Sequence, residues 1–164
     1  MVLLREVTTA DWPLWRDARL AALADSPEAF KASLADWPHG GEERWRARLA
    51  APGSYGVVAL LDGRAVGMAA GLVVADGAHE LRSVWVGPRA RGRGVGDRLI
   101  AAVEAWAVRS GAGSLRLGVI PGNTPAIALY SRHGFTPAGR PGGLLPGGRT
   151  RELLMVKALG AGTA

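Results

Sequence analysis

The sequence predicts an α/β layer fold, with a central mixed sheet flanked by helices in a single domain. Three observations lead there. Apolar runs of strand length alternate with segments of helical periodicity, of which Val95, Leu99, Val103 and Trp106 are the clearest. Residues 55–61 and 65–74 are apolar runs joined by Asp62-Gly63, a two-residue hairpin signal. Residues 81–96, LRSVWVGPRARGRGVG, carry a strand into Pro88, turn through a basic loop punctuated by glycine, and open a long helix.

Each element follows from local chemistry. Residues 3–7 form a first strand. Thr8-Thr9-Ala10-Asp11 has the form of a capping box and opens a helix to about Ala24. Pro27 and Glu28 begin a short helical stretch, and residues 42–50 form another helix. The hairpin strands come next, then the strand of residues 81–86. The helix from Val95 runs to Ser110-Gly111, and residues 114–119 read as a strand. Residues 125–133 are helical and end at Gly134, the usual glycine stop. Residues 152–157 supply the last strand. Residues 37–42 and 137–148, rich in Gly and Pro, read as loops, the second of them a mobile one. The domain spans residues 1–159, and residues 160–164 form a frayed tail.

Composition narrows the function classes. No apolar run approaches the ~20 residues of a membrane span. The N-terminus lacks the basic and apolar regions of a secretory signal, so a cytoplasmic location is the default expectation. Cysteine is absent, which excludes disulfides and thiol catalysis. The net charge of +6 comes from 18 Arg against 2 Lys and favours an anionic partner. The dense basic group lies at residues 89–98, and there is no Lys/Arg-rich tail or aromatic RNA-binding motif. A small anionic ligand explains this charge better than a nucleic-acid duplex. His39, His79 and His133 lack metal-ligand spacing, so no metal is expected.

The glycine-rich turn has the parts of an anion site. The N–H groups of a first helical turn lack internal partners, and the helix dipole adds positive potential there. Two familiar phosphate loops do not fit. No Gly-Lys pair occurs, which excludes a P-loop, and Asp97 stands where a Rossmann fingerprint needs its third glycine.

The turn instead resembles the acyl-CoA-binding signature of the GNAT superfamily of N-acetyltransferases, Gln/Arg-x-x-Gly-x-Gly/Ala. Here it reads Arg91-Gly92-Arg93-Gly94-Val95-Gly96. A second segment, NTPAIALYSRHGF at residues 123–135, is similar to that family's Asn-x-x-Ala-x-x-Leu-Tyr-x-x-x-Gly-Phe. The resemblance implies a mostly antiparallel GNAT-like sheet, splayed at the CoA-binding strand. It also implies acetyl-CoA as co-substrate, a primary amine as acceptor, direct attack in a ternary complex, and a homodimer.

Acetyl transfer to an amine makes four demands, and the resemblance assigns residues to them. The pyrophosphate goes to Arg91, Gly92, Arg93, Gly94, Val95, Gly96 and Asp97. Asp97 is an acid at an anion site, yet its place in the first turn suits the dipole and its side chain can point away. The thioester carbonyl goes to the backbone of Val84, Trp85 and Val86, whose side chains read as core. The departing thiolate takes its proton from Tyr130, which also reads as a buried aromatic on an amphipathic helix. Glu80 is the candidate base, with a surface acid at a strand end as its alternative; His79 and Glu43 are further candidates. Asn123 either contacts the cofactor or an ordered water, or only caps its helix. Trp12, Trp15, Phe30, Trp37 and Trp45 crowd the N-terminal half and read mostly as core. Two rival classes stay open: a non-catalytic CoA-binding module and a basic nucleic-acid-binding domain.

Overall fold

The structure, a computed structural model, describes residues 1–25, 41–75, 77–145, 148 and 150–159. Among them, seven strands form one sheet: β1 (Val2–Glu6), β2 (Ser54–Leu61), β3 (Arg64–Ala75), β4 (Ala78–Val86), β5 (Ser114–Val119), β6 (Thr136–Leu144) and β7 (Arg151–Ala158). Their spatial order is β1-β2-β3-β4-β5-β7-β6, and every neighbouring pair is antiparallel except β4 and β5. The mixed, mostly antiparallel sheet expected from the sequence is present.

Side-chain alternation along the strands makes two cores. Val58, Met68 and Trp85 face α1 (Trp12–Asp25) and α2 (Glu42–Ala50), where they meet Trp15, Leu23 and Trp45. Val57, Ala59 and Leu81 face the other way, against Leu99, Ile100 and Val103 of α3 (Val95–Arg109). That second core continues through Leu115 and Leu117 to Phe135. Trp15 and Trp45 are core, as read from the sequence, while Trp12 is partly buried beside them.

The turn chemistry worked as read. Asp62 and Gly63 take positive φ (53° and 77°), the geometry of a two-residue hairpin, and Leu61 faces Arg64 across it. The Thr8 N–H donates to Asp11 Oδ2 at 2.9 Å, closing a 3₁₀ turn (Thr9–Asp11) that leads into α1.

One reading needs correction. Residues 137–148 were expected to be a mobile loop, yet residues up to Leu144 belong to β6. Pro137 and Pro141 hid the strand, because proline cannot donate to a ladder. Among the described residues β6 pairs only with β7, so it is an edge where a missing donor costs little, and its register slips at both prolines. The helical stretch expected from Pro27 and Glu28, together with Phe30, Trp37 and the tail at residues 160–164, lies outside the described residues.

The sheet is irregular at one place. β4 and β5 pair only through Ala78–Ser114, His79–Leu115 and Glu80–Arg116, and then diverge. On its other side, β4 slips against β3: Arg82 faces Ala70, whereas Trp85 faces Met68. Three steps along β4 match two along β3, so β4 carries a bulge. Ser83 sits in it at φ 58°.

Candidate active site

Among the described residues, the divergence leaves the β5-facing edge of β4 without a strand partner from Leu81 onward. A cavity of about 320 Å³ fills the gap, with Glu80 and Val84 on one wall and Asn123 and Tyr130 on another. The last two belong to α4 (Thr124–Arg132), which follows β5.

Tyr130 is fixed by the end of its own helix. The Phe135 N–H donates to the Tyr130 carbonyl at 3.1 Å, and the Gly134 N–H to that of Ser131 at 3.0 Å. Gly134 closes this turn at φ 92°, a left-handed conformation that costs other residues energy. The turn sets Phe135 edge-on to the Tyr130 ring, with centroids 6.1 Å apart. The tyrosine is 9% exposed, and burial pushes its phenol up to about 12.

Glu80 faces the same cavity from β4. Its carboxylate accepts from Arg82 Nε at 2.5 Å and lies 3.5 Å from Arg116 Nε. Asn123 caps α4, its Oδ1 accepting from the Ala126 N–H at 3.4 Å, while it also lines the cavity. The other base candidates lie elsewhere. His79 is buried on the α3 face, its ring 4.9 Å from Trp106, because neighbours along a strand point to opposite sides. Glu43 is exposed in the first turn of α2.

A second cavity, of about 380 Å³, lies at the N-terminus of α3 against Val86, Gly92, Gly94 and Gly96. Gly92 and Gly94 take φ of 76° and 74°, and Gly94 is the residue that precedes the helix. Among the described residues, no atom lies within 4 Å of where a methyl group on Gly92 would stand, so the loop presents bare backbone. Gly96 is small for another reason: a methyl group there would stand 3.3 Å from Leu129 Cδ2.

The charged residues of the loop divide. Arg91 braces it, donating to the Val86 carbonyl at 3.0 Å and to Asp25 Oδ2 at 2.5 Å. Trp85 Nε1 donates to that same carboxylate oxygen at 2.9 Å, with its ring in the α1 core. Asp97 points across to the end of α4, 2.7 Å from His133 Nε2 and 3.0 Å from Arg132 Nη2. Those bonds, the His133 contact first, hold its carboxyl below the usual carboxylate range. Arg98 reaches away to the Val2 carbonyl at 2.8 Å. Arg93 is exposed, and the Val95 side chain is buried.

Sequence reasoning missed Arg19, Arg48, Arg82 and Ser83, which also line the first cavity. Ser83 Oγ accepts from Arg19 Nη1 at 3.0 Å. Arg82 was within reach of a period-two reading, since it shares the strand face of Glu80. Arg19 and Arg48 come from α1 and α2, and no local pattern ties them to β4. Among the described residues no group of three or more His, Cys, Asp or Glu could hold a metal ion, and no helix is long and apolar enough to cross a membrane.

Comparison with known proteins gives consistent relatives. The model of the Acetyltransferase (GNAT) family matches residues 12–135. The acetyltransferase of GNAT family from Streptococcus pneumoniae superposes with a TM-score of 0.76 at 23% identity, over 97% of this chain and 99% of that one. The ribosomal-protein-alanine N-acetyltransferase from Brucella melitensis gives 0.70 at 30% identity, over 96% and 99%. The PaiA N-acetyltransferase of Thermoplasma acidophilum, in complex with coenzyme A, gives 0.73 at 16% identity, over 96% and 99%. A curated relative, the uncharacterized N-acetyltransferase YobR of Bacillus subtilis (strain 168), is 36% identical over 64 residues. That match covers 39% of this chain and about a quarter (26%) of the relative.

Proposed function

The chain belongs to the acetyltransferase (GNAT) family, and from that premise we propose that it moves an acetyl group from acetyl-CoA to a primary amine, with Tyr130 as acid and Glu80 as base. One observation carries the reading. Tyr130 and Glu80 face one cavity beside a β4 edge that has no strand partner, and the glycine loop opens at the far end of the same strand. The loop suits a pyrophosphate, since its backbone is uncovered and the first-turn N–H groups of α3 need acceptors. A bound PaiA neighbour with coenzyme A supports the same co-substrate.

In this reading the thioester lies along the backbone of Val84, Trp85 and Val86 in β4, where an N–H on the open edge meets the gathering negative charge. Glu80 takes a proton from the incoming ammonium, whose ordinary pKa is near 10.4. The amine nitrogen then bonds to the carbonyl carbon, and the carbon–sulfur bond breaks. Tyr130 donates its proton toward the sulfur as charge collects there, and the second proton of the attacking nitrogen, lost as the amide forms, restores the phenol. A phenol near 12 keeps that proton through the working pH range. Asn123 positions the start of α4, and hence Tyr130.

Isothermal titration with acetyl-CoA and with 3′-dephospho-CoA tests the binding half, and transfer to an amine panel tests the chemistry. Micromolar binding of acetyl-CoA is expected, with weaker binding of the dephospho form where an arginine reads the 3′-phosphate. No binding would overturn the assignment of the loop. Binding without transfer would leave a CoA-binding module.

A further inference from the structure

A carboxylate lines the cavity at the start of α3: Asp97 stands there beside Gly92, Gly94 and Gly96. A negative charge at that place works against a phosphate, since like charges facing each other cost binding energy. Its position in the first turn of α3 suits the helix dipole, but that would hold for an acid pointing in any direction. The direction is what distinguishes Asp97.

Its side chain leaves the loop and spans to α4. Oδ1 lies 2.7 Å from His133 Nε2 and accepts from Arg132 Nη2 at 3.0 Å. These bonds keep the carboxyl ionised, so it can only accept, and His133 must carry a proton on Nε2. The Arg132 side chain is 60% exposed, and such a pair adds little to stability; the His133 side chain is sheltered at 18%. His133 is also the residue that ends α4. Its backbone N–H donates to the Tyr130 carbonyl at 3.0 Å and to that of Leu129 at 3.2 Å. A continuous chain of contacts therefore runs from the first turn of α3, through Asp97 and His133, to the backbone of Tyr130. Leu129 packs beside it, 3.3 Å from where a methyl group on Gly96 would stand.

We propose that Asp97 and His133 are positioning residues, which hold the end of α4 to the glycine turn so that the Tyr130 phenol is aligned with a thioester anchored by that same turn. The turn and the phenol belong to different helices with β5 between them in the chain. Their relative position is therefore set by contacts between the helices, and this pair is the polar one. The inference rests on the acetyl-transfer reading above, with Tyr130 as the acid.

Asp97→Asn removes the charge and keeps the shape. Its acetyl-CoA Kd by titration should be no weaker than that of the parent, because a negative charge leaves the phosphate cavity. Its kcat should fall by about 10- to 100-fold, the scale of a misplaced catalytic group. His133→Ala should lower kcat similarly, and His133→Gln, whose amide N–H reaches the place of Nε2, should restore most of it. Asp97→Asn combined with His133→Ala should cost no more than either alone, as for residues acting through one contact. In a Tyr130→Phe background, neither substitution should lower kcat further, because an absent hydroxyl cannot be misaligned. General loosening of the fold would slow both backgrounds alike, so equal losses with and without the phenol would overturn the inference. A weaker acetyl-CoA Kd with kcat intact would do the same and make Asp97 a cofactor contact. Unchanged kcat in Asp97→Asn and His133→Ala, beside an impaired Tyr130→Phe, would overturn the inference and leave Tyr130 as the acid. A Tyr130→Phe protein as active as the parent would overturn it together with the reading beneath it.

Discussion

Tyr130 is the residue on which the proposed chemistry turns, and its surroundings make the expectation specific. Its ring is held between Phe135 and the core, so Tyr130→Phe removes one hydroxyl and little packing. The variant should lower kcat by about 10²–10⁴, the general-acid range, with the acetyl-CoA Kd unchanged by titration. An unchanged kcat would remove Tyr130 from the mechanism. The pH dependence follows from burial. The folded phenol stands near 12, above the ordinary value of about 10. Tyr130 should therefore impose no loss of kcat up to pH 10, and an alkaline limb centred near 10 that vanishes in Tyr130→Phe would contradict this. For stability the sign is that of a raised acid. The contribution is complete below pH 10 and is lost as pH climbs from 10 through 12. Chemical denaturation of the two proteins across that range checks it, the native chain losing more.

At the scale of elements, the glycine loop and the end of α4 each combine a conformational demand with a packing demand. Gly94 precedes α3 at φ 74°, where alanine costs about 1–2 kcal/mol. Gly96 is helical, and the nearest limits on it are Leu129 and Val86. Gly94→Ala should therefore destabilise the fold by that amount and weaken acetyl-CoA binding. Gly96→Ala should stay within about 1 kcal/mol of the parent, because better helix propensity offsets the squeeze on Leu129. Equal losses in the two variants by thermal melting and titration would refute the distinction. Gly134 is read the same way: Gly134→Ala should lose about 1–2 kcal/mol and tilt Tyr130, since one turn sets both. Local signals such as these were legible in the sequence, as were the hairpin at Asp62-Gly63 and the helix from Val95. What escaped were features made by partners distant along the chain. β6 exists because β7 lies beside it, and the bulge at Ser83 exists because β3 and β4 count differently. The arginines of the first cavity come from α1, α2 and β4, which meet only in three dimensions.

At the scale of the molecule, the charge of +6 makes encounter with anions favourable everywhere, so specificity has to come from the two cavities. Acetyl-CoA affinity should fall with added salt, because the loop arginines are exposed. The sheet itself has a narrow seam. Three residue pairs join β4 to β5, whereas β2 and β3 run together from Ser54–Leu72 to Leu61–Arg64. Beyond that seam the amides of residues 81–86 that face β5 have no ladder to protect them, and they should exchange hydrogen for deuterium through small local openings. Saturation with acetyl-CoA should slow exchange in residues 81–86 and leave β2 unchanged, as mass spectrometry of the labelled peptides would read. An unaltered rate in residues 81–86 would mean that acetyl-CoA does not dock on this edge. On the proposed docking, the two halves of the sheet are coupled by the ligand between them, so the molecule's stiffness across the seam becomes a property of its substrate as much as of its chain.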